Sequence, residues 1–229
     1  MEPRTALTAD TEGADAAPAQ AAPGRGRFEG APGSLLVILS GPSGVGKDTI
    51  IEAMQARTQR SDRTYVVTCT TRDRRPNEID GVHYLFRTRA EFEALRAAGG
   101  LLESADVHGQ WYGTPRDQVT DALAAGRDVI LKIDVQGARA VRAAVPDALM
   151  IFVVPPSPEA LEARLHARST ETPEQLARRR RDAVTELARQ AEYDHVVVNE
   201  TGRVARTATE IDAIIAAEHA RFPDRRIRL

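Results

Sequence analysis

Lysine is almost missing from these 229 residues: only Lys47 and Lys132 contribute to a combined Lys and Arg total of 31. Cysteine is reduced to Cys69, which excludes an internal disulfide and fits a reducing compartment. The five histidines have no metal-ligand spacing with it, so no zinc-type cluster is expected. No apolar run approaches the roughly 20 residues of a membrane-spanning helix. The first 33 residues lack the charged start and apolar core of a secretory signal, and their acids (Asp10, Glu12, Asp15) argue against a transit peptide. A formal net charge of -2 carries no electrostatic footprint for nucleic acid. The expectation is a cytoplasmic protein without a membrane or nucleic-acid partner. Because residues 1–33 are also nearly devoid of branched apolar side chains, they read as a disordered tail ahead of one folded domain spanning 34–229.

What is present begins with Gly41-Pro42-Ser43-Gly44-Val45-Gly46-Lys47, which follows the apolar run Leu35–Leu39 and precedes the helical pattern from Thr49. Strand, glycine-rich loop and helix stand in the order of a phosphate-binding loop of the G-x-x-x-x-G-K type. The glycines let successive N–H groups turn inward, the helix N-terminus adds partial positive charge, and a compact ammonium reaches the outer phosphates. A chain that otherwise relies on arginine has kept lysine at this position, where a planar guanidinium would fit less well.

Beyond this loop, apolar runs at 65–69, 128–134, 149–154 and 195–198 alternate with helical patterns around 115–125, 137–144, 158–167, 173–191 and 203–220. That alternation predicts an α/β three-layer fold with a mainly parallel sheet. Thr114-Pro115, Ser157-Pro158 and Thr172-Pro173 each place a capping hydroxyl before a helix-starting proline. The segment of about 70–113 breaks the pattern, with a short strand over 81–86 and a helix over 89–98, and reads as an insertion at the ligand edge of the sheet.

The insertion carries a second concentration of chemistry: Thr71-Arg72 and Arg75, then Tyr84, Glu103 and Tyr112. Guanidinium forks and tyrosine hydroxyls suit a phosphate. A carboxylate beside them would repel that phosphate, so Glu103 is placed at the far end of the ligand, where a ring N–H and an exocyclic amine, as on guanine, pair with both oxygens.

With these residues in order, the sequence resembles the guanylate kinase family. The matching elements are the loop 41–47, Thr71-Arg72 with Arg75, Glu78, Gly81 and Tyr84, Tyr112-Gly113, Ile133-Asp134-Val135-Gln136-Gly137, Pro155-Pro156-Ser157 and Val198-Asn199. The resemblance implies a P-loop nucleoside monophosphate kinase that transfers the γ-phosphoryl group of ATP to GMP, and to dGMP, with Mg²⁺. It further implies a core over 34–69 and 114–229, a GMP-binding insertion over about 70–113, and a lid over about 164–180. Carried over by position, Gly41, Pro42, Ser43, Gly44, Val45, Gly46, Lys47, Asp48, Thr49 and Asn199 would bind ATP. Lys47, Arg164, Arg168 and Arg179 would act on the transferred phosphoryl group. Arg72, Arg75, Tyr84 and Tyr112 would hold the GMP phosphate, Glu103 and Thr68 would read guanine, and Thr114 and Asp134 would complete that site.

Two departures from the family pattern fall together. Asp48 follows the loop lysine in place of a hydroxyl, with Thr49 one step later, and the strand that often reads acid-x-Asp here reads Lys132-Ile133-Asp134. One reading has Asp48 and Thr49 serving the Mg²⁺ site while Lys132 balances the charge of Asp48. The other has Asp48 as a solvated helix-start acid. A non-catalytic phosphopeptide-binding module of the same family, or a kinase for another phosphate acceptor, are the competing functions. Glu103 with Thr68 opposes a different acceptor, and Lys47 with the arginines opposes a non-catalytic module. No motif encodes the oligomeric state.

Overall fold

A computed structural model describes residues 20–21, 28–57, 62–107, 109–166 and 173–229. Its larger sheet is built from β2 (Leu36–Ser40), β3 (Arg63–Tyr65), β8 (Asp128–Lys132), β9 (Leu149–Val154) and β10 (His195–Val198). The strand order is β10-β9-β2-β8-β3 and every pairing is parallel. Side chains that alternate along a strand fall on opposite faces. Accordingly Leu36 and Ile38 join one core with Phe152, Leu131 and Val141, whereas Leu35, Val37 and Leu39 join a second with Ile50, Ile151 and Ile211. Helices α3 (Arg116–Ala124) and α4 (Val135–Ala144) supply the first layer, and α1 (Lys47–Arg57) and α7 (Val204–Arg221) the second. The three-layer fold and its parallel sheet match the pattern read from sequence.

The smaller sheet has the order β1-β6-β7-β4-β5, formed by β1 (Gln20–Ala21), β4 (Cys69–Thr70), β5 (Leu85–Phe86), β6 (Leu101–Val107) and β7 (Gln110–Pro115). Helix α2 (Arg89–Ala97) packs on it through Phe92, which shares a small core with Cys69 and Leu101. Thr88 caps α2 in a reciprocal arrangement with Glu91. The strand expected over 65–69 is therefore two strands in two sheets. Val67 leaves the ladder because the side-chain amide of Gln118 accepts from its N–H at 3.0 Å, and Thr68 sits at the crossing. The strand expected over 81–86 shortens to β5, because Gly81 takes φ +78° and its N–H turns back to the Tyr84 carbonyl at 2.8 Å.

Two more expectations are corrected. Residues 28–33, assigned to a disordered tail, are strapped to the C-terminal end: Phe28 and Leu229 exchange N–H···O bonds of 3.2 and 3.0 Å, and Gly30 donates to the Ile227 carbonyl at 2.9 Å. Phe28 is the apolar side chain there, and it packs against the first core. Thr114 does not cap α3; Pro115 occupies the cap position and the Thr114 hydroxyl turns to Glu103. Ser157 does cap α5 (Pro158–His166), accepting from the Ala160 N–H at 3.2 Å. Thr172 lies outside the described residues, as do residues 1–19 and 22–27.

The strap has a measurable weight. Ile227 is fully buried in the first core, so Ile227→Ala is expected to lower unfolding free energy by about 3 kcal/mol. Urea denaturation should show the shift in midpoint with an unchanged slope.

Candidate functional site

The parallel register sets Leu39 beside Lys132 and Ser40 beside Phe152, so the loop after β2, the end of β8 and the start of α4 open on one edge of the sheet. Ligands collect at this carboxyl edge in open α/β folds. The loop from Gly41 to Lys47 runs into α1, and Gly41, with φ +144°, lies against the Val153 carbonyl, where any Cβ would collide. Lys47 donates to the carbonyls of Gly41 at 2.5 Å and Pro42 at 3.2 Å. Burial lowers its pKa, against the opposing charges of Glu186, Asp48 and Asp134.

Facing the loop across one cleft stand Arg72, Arg75, Tyr84 and Tyr112. Glu78 shapes this wall: its carboxylate accepts from Arg72 Nη2 at 2.7 Å and from the Arg75 N–H at 2.9 Å. Burial would raise the Glu78 carboxyl, but those hydrogen bonds and the two positive charges hold it below its usual value. Tyr84 and Tyr112 meet edge to face at 6.0 Å, and the Arg72 guanidinium lies 5.4 Å from the Tyr84 ring centre.

Farther in, Glu103 is 3% exposed and accepts a 2.7 Å hydrogen bond from the Thr114 hydroxyl. A Cβ on Gly137 would stand 2.7 Å from Glu103 Oε2, so α4 approaches the carboxylate only because residue 137 is glycine. Burial pushes the carboxyl up to about 8, with Thr114 opposing and Asp134 adding to the rise. Thr68 lines the cleft nearby. Asp134 caps α4, accepting from the Gly137 N–H at 2.8 Å.

Lys132 contacts the Asp48 carboxylate, and its ammonium lies 5.0 Å from the Tyr84 ring centre. Burial works against its charge, but Tyr84 and Asp48 outweigh that and its pKa is raised. The pairing weighed from sequence is therefore present, and Asp48 is not simply a solvated helix-start acid.

The expected site residues do not all converge. Arg179, on α6 (Pro173–Leu187), lines the cleft. Arg168 lies outside the described residues. Arg164 stands behind the loop instead of in the cleft: its guanidinium donates to the Val45 carbonyl at 3.0 Å, the Asn199 carbonyl at 2.8 Å and the Thr201 hydroxyl at 3.0 Å. Asn199 is 5% exposed and donates to the same Val45 carbonyl at 2.8 Å. Both brace the loop from outside because its backbone offers acceptors there. Thr114 is buried behind Glu103, whereas Thr49 is exposed outside the cleft, where its hydroxyl donates to the Gly46 carbonyl at 2.8 Å.

Two acidic cleft residues escaped the sequence reading, Asp182 and Glu186. The Ser43 N–H donates to Glu186 at 3.3 Å, which sets a carboxylate against the phosphate loop. Burial raises its pKa, with Lys47 opposing. Positions 179, 182 and 186 lie three and four apart, one stripe of a helix, and that spacing beside Arg179 is the signal that would have found them.

The guanylate kinase family model matches residues 34–218. A guanylate kinase of Symbiobacterium thermophilum is 50% identical over 190 residues, covering 83% of this chain and 88% of that protein. One of Nocardia farcinica is 50% identical over 167 residues, 72% of this chain and 86% of its own. Among solved structures, a guanylate kinase from Anaplasma phagocytophilum aligns with a TM-score of 0.66 at 31% identity, covering 82% of this chain and 87% of that one.

The burial of Glu103 has a consequence for stability. Its folded pKa near 8 exceeds the ordinary 4.5, so between those values the folded state keeps a proton that the unfolded state has lost. Stability from this group is full below the lower value and declines as pH rises toward the upper one, by about 1.4 kcal/mol per pH unit. Denaturation of the wild type and Glu103→Gln from pH 5 to 9 should show the wild type losing ground until about pH 8; parallel curves would contradict the assignment.

Proposed function

The chain belongs to the guanylate kinase family, and we propose that this cleft is where it transfers the γ-phosphoryl group of ATP to GMP, giving ADP and GDP, with dGMP as a second acceptor. The observation that carries the reading is the opposition, across one cleft, of a lysine-bearing amide loop and an arginine–tyrosine wall backed by a buried carboxylate. In this reading the loop amides and Lys47 hold the ATP phosphates. Arg72, Arg75, Tyr84 and Tyr112 hold the GMP phosphate, while Glu103, as the carboxylate, accepts from the guanine ring N–H and exocyclic amine. Thr114 fixes the carboxylate and Thr68 adds a hydroxyl.

The acceptor is already an anion, so no strong base is needed, and catalysis rests on alignment and on neutralising charge that spreads in the transition state. Lys47 and Arg179 supply that neutralisation. Arg164 contributes by fixing the loop through Val45, and α5 with α6 forms the lid. Glu186 must yield the Ser43 N–H to phosphate, an exchange of one anion for another at the loop. Closure of the lid and the insertion excludes water, the competing acceptor.

Mg²⁺ accompanies ATP in this reading. Asp48 presents a hard oxygen donor at the junction of loop and α1, and Thr49 follows it with its hydroxyl turned to the Gly46 carbonyl; so small a donor set suits a cation that takes few protein ligands and fills its shell with phosphate and water. When bound, the ion would neutralise charge on the phosphate oxygens. No helix among the described residues is long and apolar enough to cross a membrane, and small nucleotides as partners, with the lone cysteine, fit a cytoplasmic location.

Lys47→Ala and Arg75→Ala are each expected to lower kcat/KM for GMP by at least about 100-fold, a loss of about 3 kcal/mol of transition-state stabilisation, at an unchanged melting temperature. A coupled assay measures this, and near-normal kinetics in either variant contradict the reading. For the unusual pair, Asp48→Ser and Lys132→Asp with their double variant should give a coupling of about 1 kcal/mol or more. Strictly additive losses in activity would separate the two residues functionally.

A further inference from the structure

Lys132 has no place in the assignments taken from the family, where an acid is common at this position. We propose that Lys132 is a binding residue for the acceptor phosphate, an ammonium built into the seam between the two nucleotide sites and held there by Asp48. The proposal rests on the reading that Arg72, Arg75 and the two tyrosines form the acceptor-phosphate pocket.

Three observations point to it. Lys132 ends β8 in register with Leu39, so it emerges at the same sheet edge as the phosphate loop. Its ammonium lies 5.0 Å from the Tyr84 ring centre, and the Arg72 guanidinium is 5.4 Å from that ring. The tyrosine is therefore flanked by one cation from the insertion and one from the core. Finally, the two members of the ion pair differ in exposure: the Lys132 side chain is 19% exposed and that of Asp48 is 51% exposed. When a phosphate arrives, the carboxylate can turn to water or metal at small cost, whereas the ammonium is confined to the cleft.

The chemistry favours that exchange. An ammonium has three donor hydrogens, and a phosphate dianion outcompetes a half-solvated carboxylate for them. Bringing that dianion toward the ATP terminus creates like-charge repulsion where the sites meet. A fixed cation between them relieves it before any lid closes. Asp48 keeps the ammonium charged and in place while the pocket awaits its ligand.

The test measures binding by calorimetry without metal, titrating GMP, guanosine and ATP each alone so that the phosphate's share is isolated, with thermal melting as the folding control. Lys132→Met is expected to reduce the ratio of GMP to guanosine affinity by tenfold or more, with guanosine binding and ATP binding each altered less than threefold. Lys132→Gln, which keeps a polar but uncharged head on a stem one bond shorter, should give the same loss. An unchanged ratio in both variants while Arg75→Ala loses it overturns the proposal and leaves the pocket intact. An unchanged ratio in Arg75→Ala as well overturns the pocket reading with it. A fall in ATP affinity alone would assign the ammonium to the donor side and equally overturn the proposal.

Discussion

Parallel pairing of the central strand with both neighbours is the constraint from which the site follows. Because β2 lies between β8 and β9 and all three point the same way, the segments leaving them emerge on one edge with fixed offsets. The phosphate loop, the Lys132–Asp134 turn and the carbonyl of Val153 are thus neighbours by register, before any side chain chooses a partner. A one-residue slip would exchange the two faces of β2 and turn Leu36 and Ile38 out of the core they share with Phe152. Packing of two full apolar layers makes that slip prohibitive, and the cleft inherits the precision of the sheet.

On this frame the cleft sets cations against carboxylates. Lys47, Lys132, Arg72, Arg75 and Arg179 face Asp48, Asp134, Asp182 and Glu186, while burial keeps Glu103 protonated up to about pH 8. A cluster of cations alone would repel itself and resist folding. The carboxylates offset this in the free protein, and several stand where incoming groups compete with them: Glu186 at the loop amides and Asp48 on Lys132. Substrate phosphates then exchange one anion for a more highly charged one, so binding is a substitution within a prepared field.

The frame and much of the cleft were legible in the sequence because they leave local signatures. Strand, glycine loop and helix are contiguous, and alternate residues of 35–39 needed only the period of a strand to predict two buried faces. Arg72, Arg75, Tyr84, Glu103 and Tyr112 were legible through spaced motifs that the fold gathers onto one wall. What escaped depends on contacts between distant segments. The strap of 28–33 onto 225–229 has weak apolar patterning and is secured by backbone hydrogen bonds that carry no sequence mark. Thr114 looked like a helix cap because its neighbour is proline, but the acceptor that claims its hydroxyl lies on the adjacent strand. The family resemblance places Arg164 on the transferred phosphoryl group, whereas the carbonyls behind the loop are its partners.

Glu103 shows how these levels are joined. Its place on β6 opposite Thr114 comes from antiparallel pairing, and its seclusion comes from the approach of Gly137 on a helix that Asp134 caps. That seclusion burdens the carboxylate with desolvation, visible as a carboxyl held near 8. A ligand that brings two N–H donors to the ionised group relieves the burden, while one that brings a carbonyl and a lone pair meets repulsion. Discrimination between purine bases therefore draws on the same burial that costs the free protein stability. A more exposed carboxylate would be less costly to keep ionised, but water would satisfy it equally well and the preference for guanine would fade.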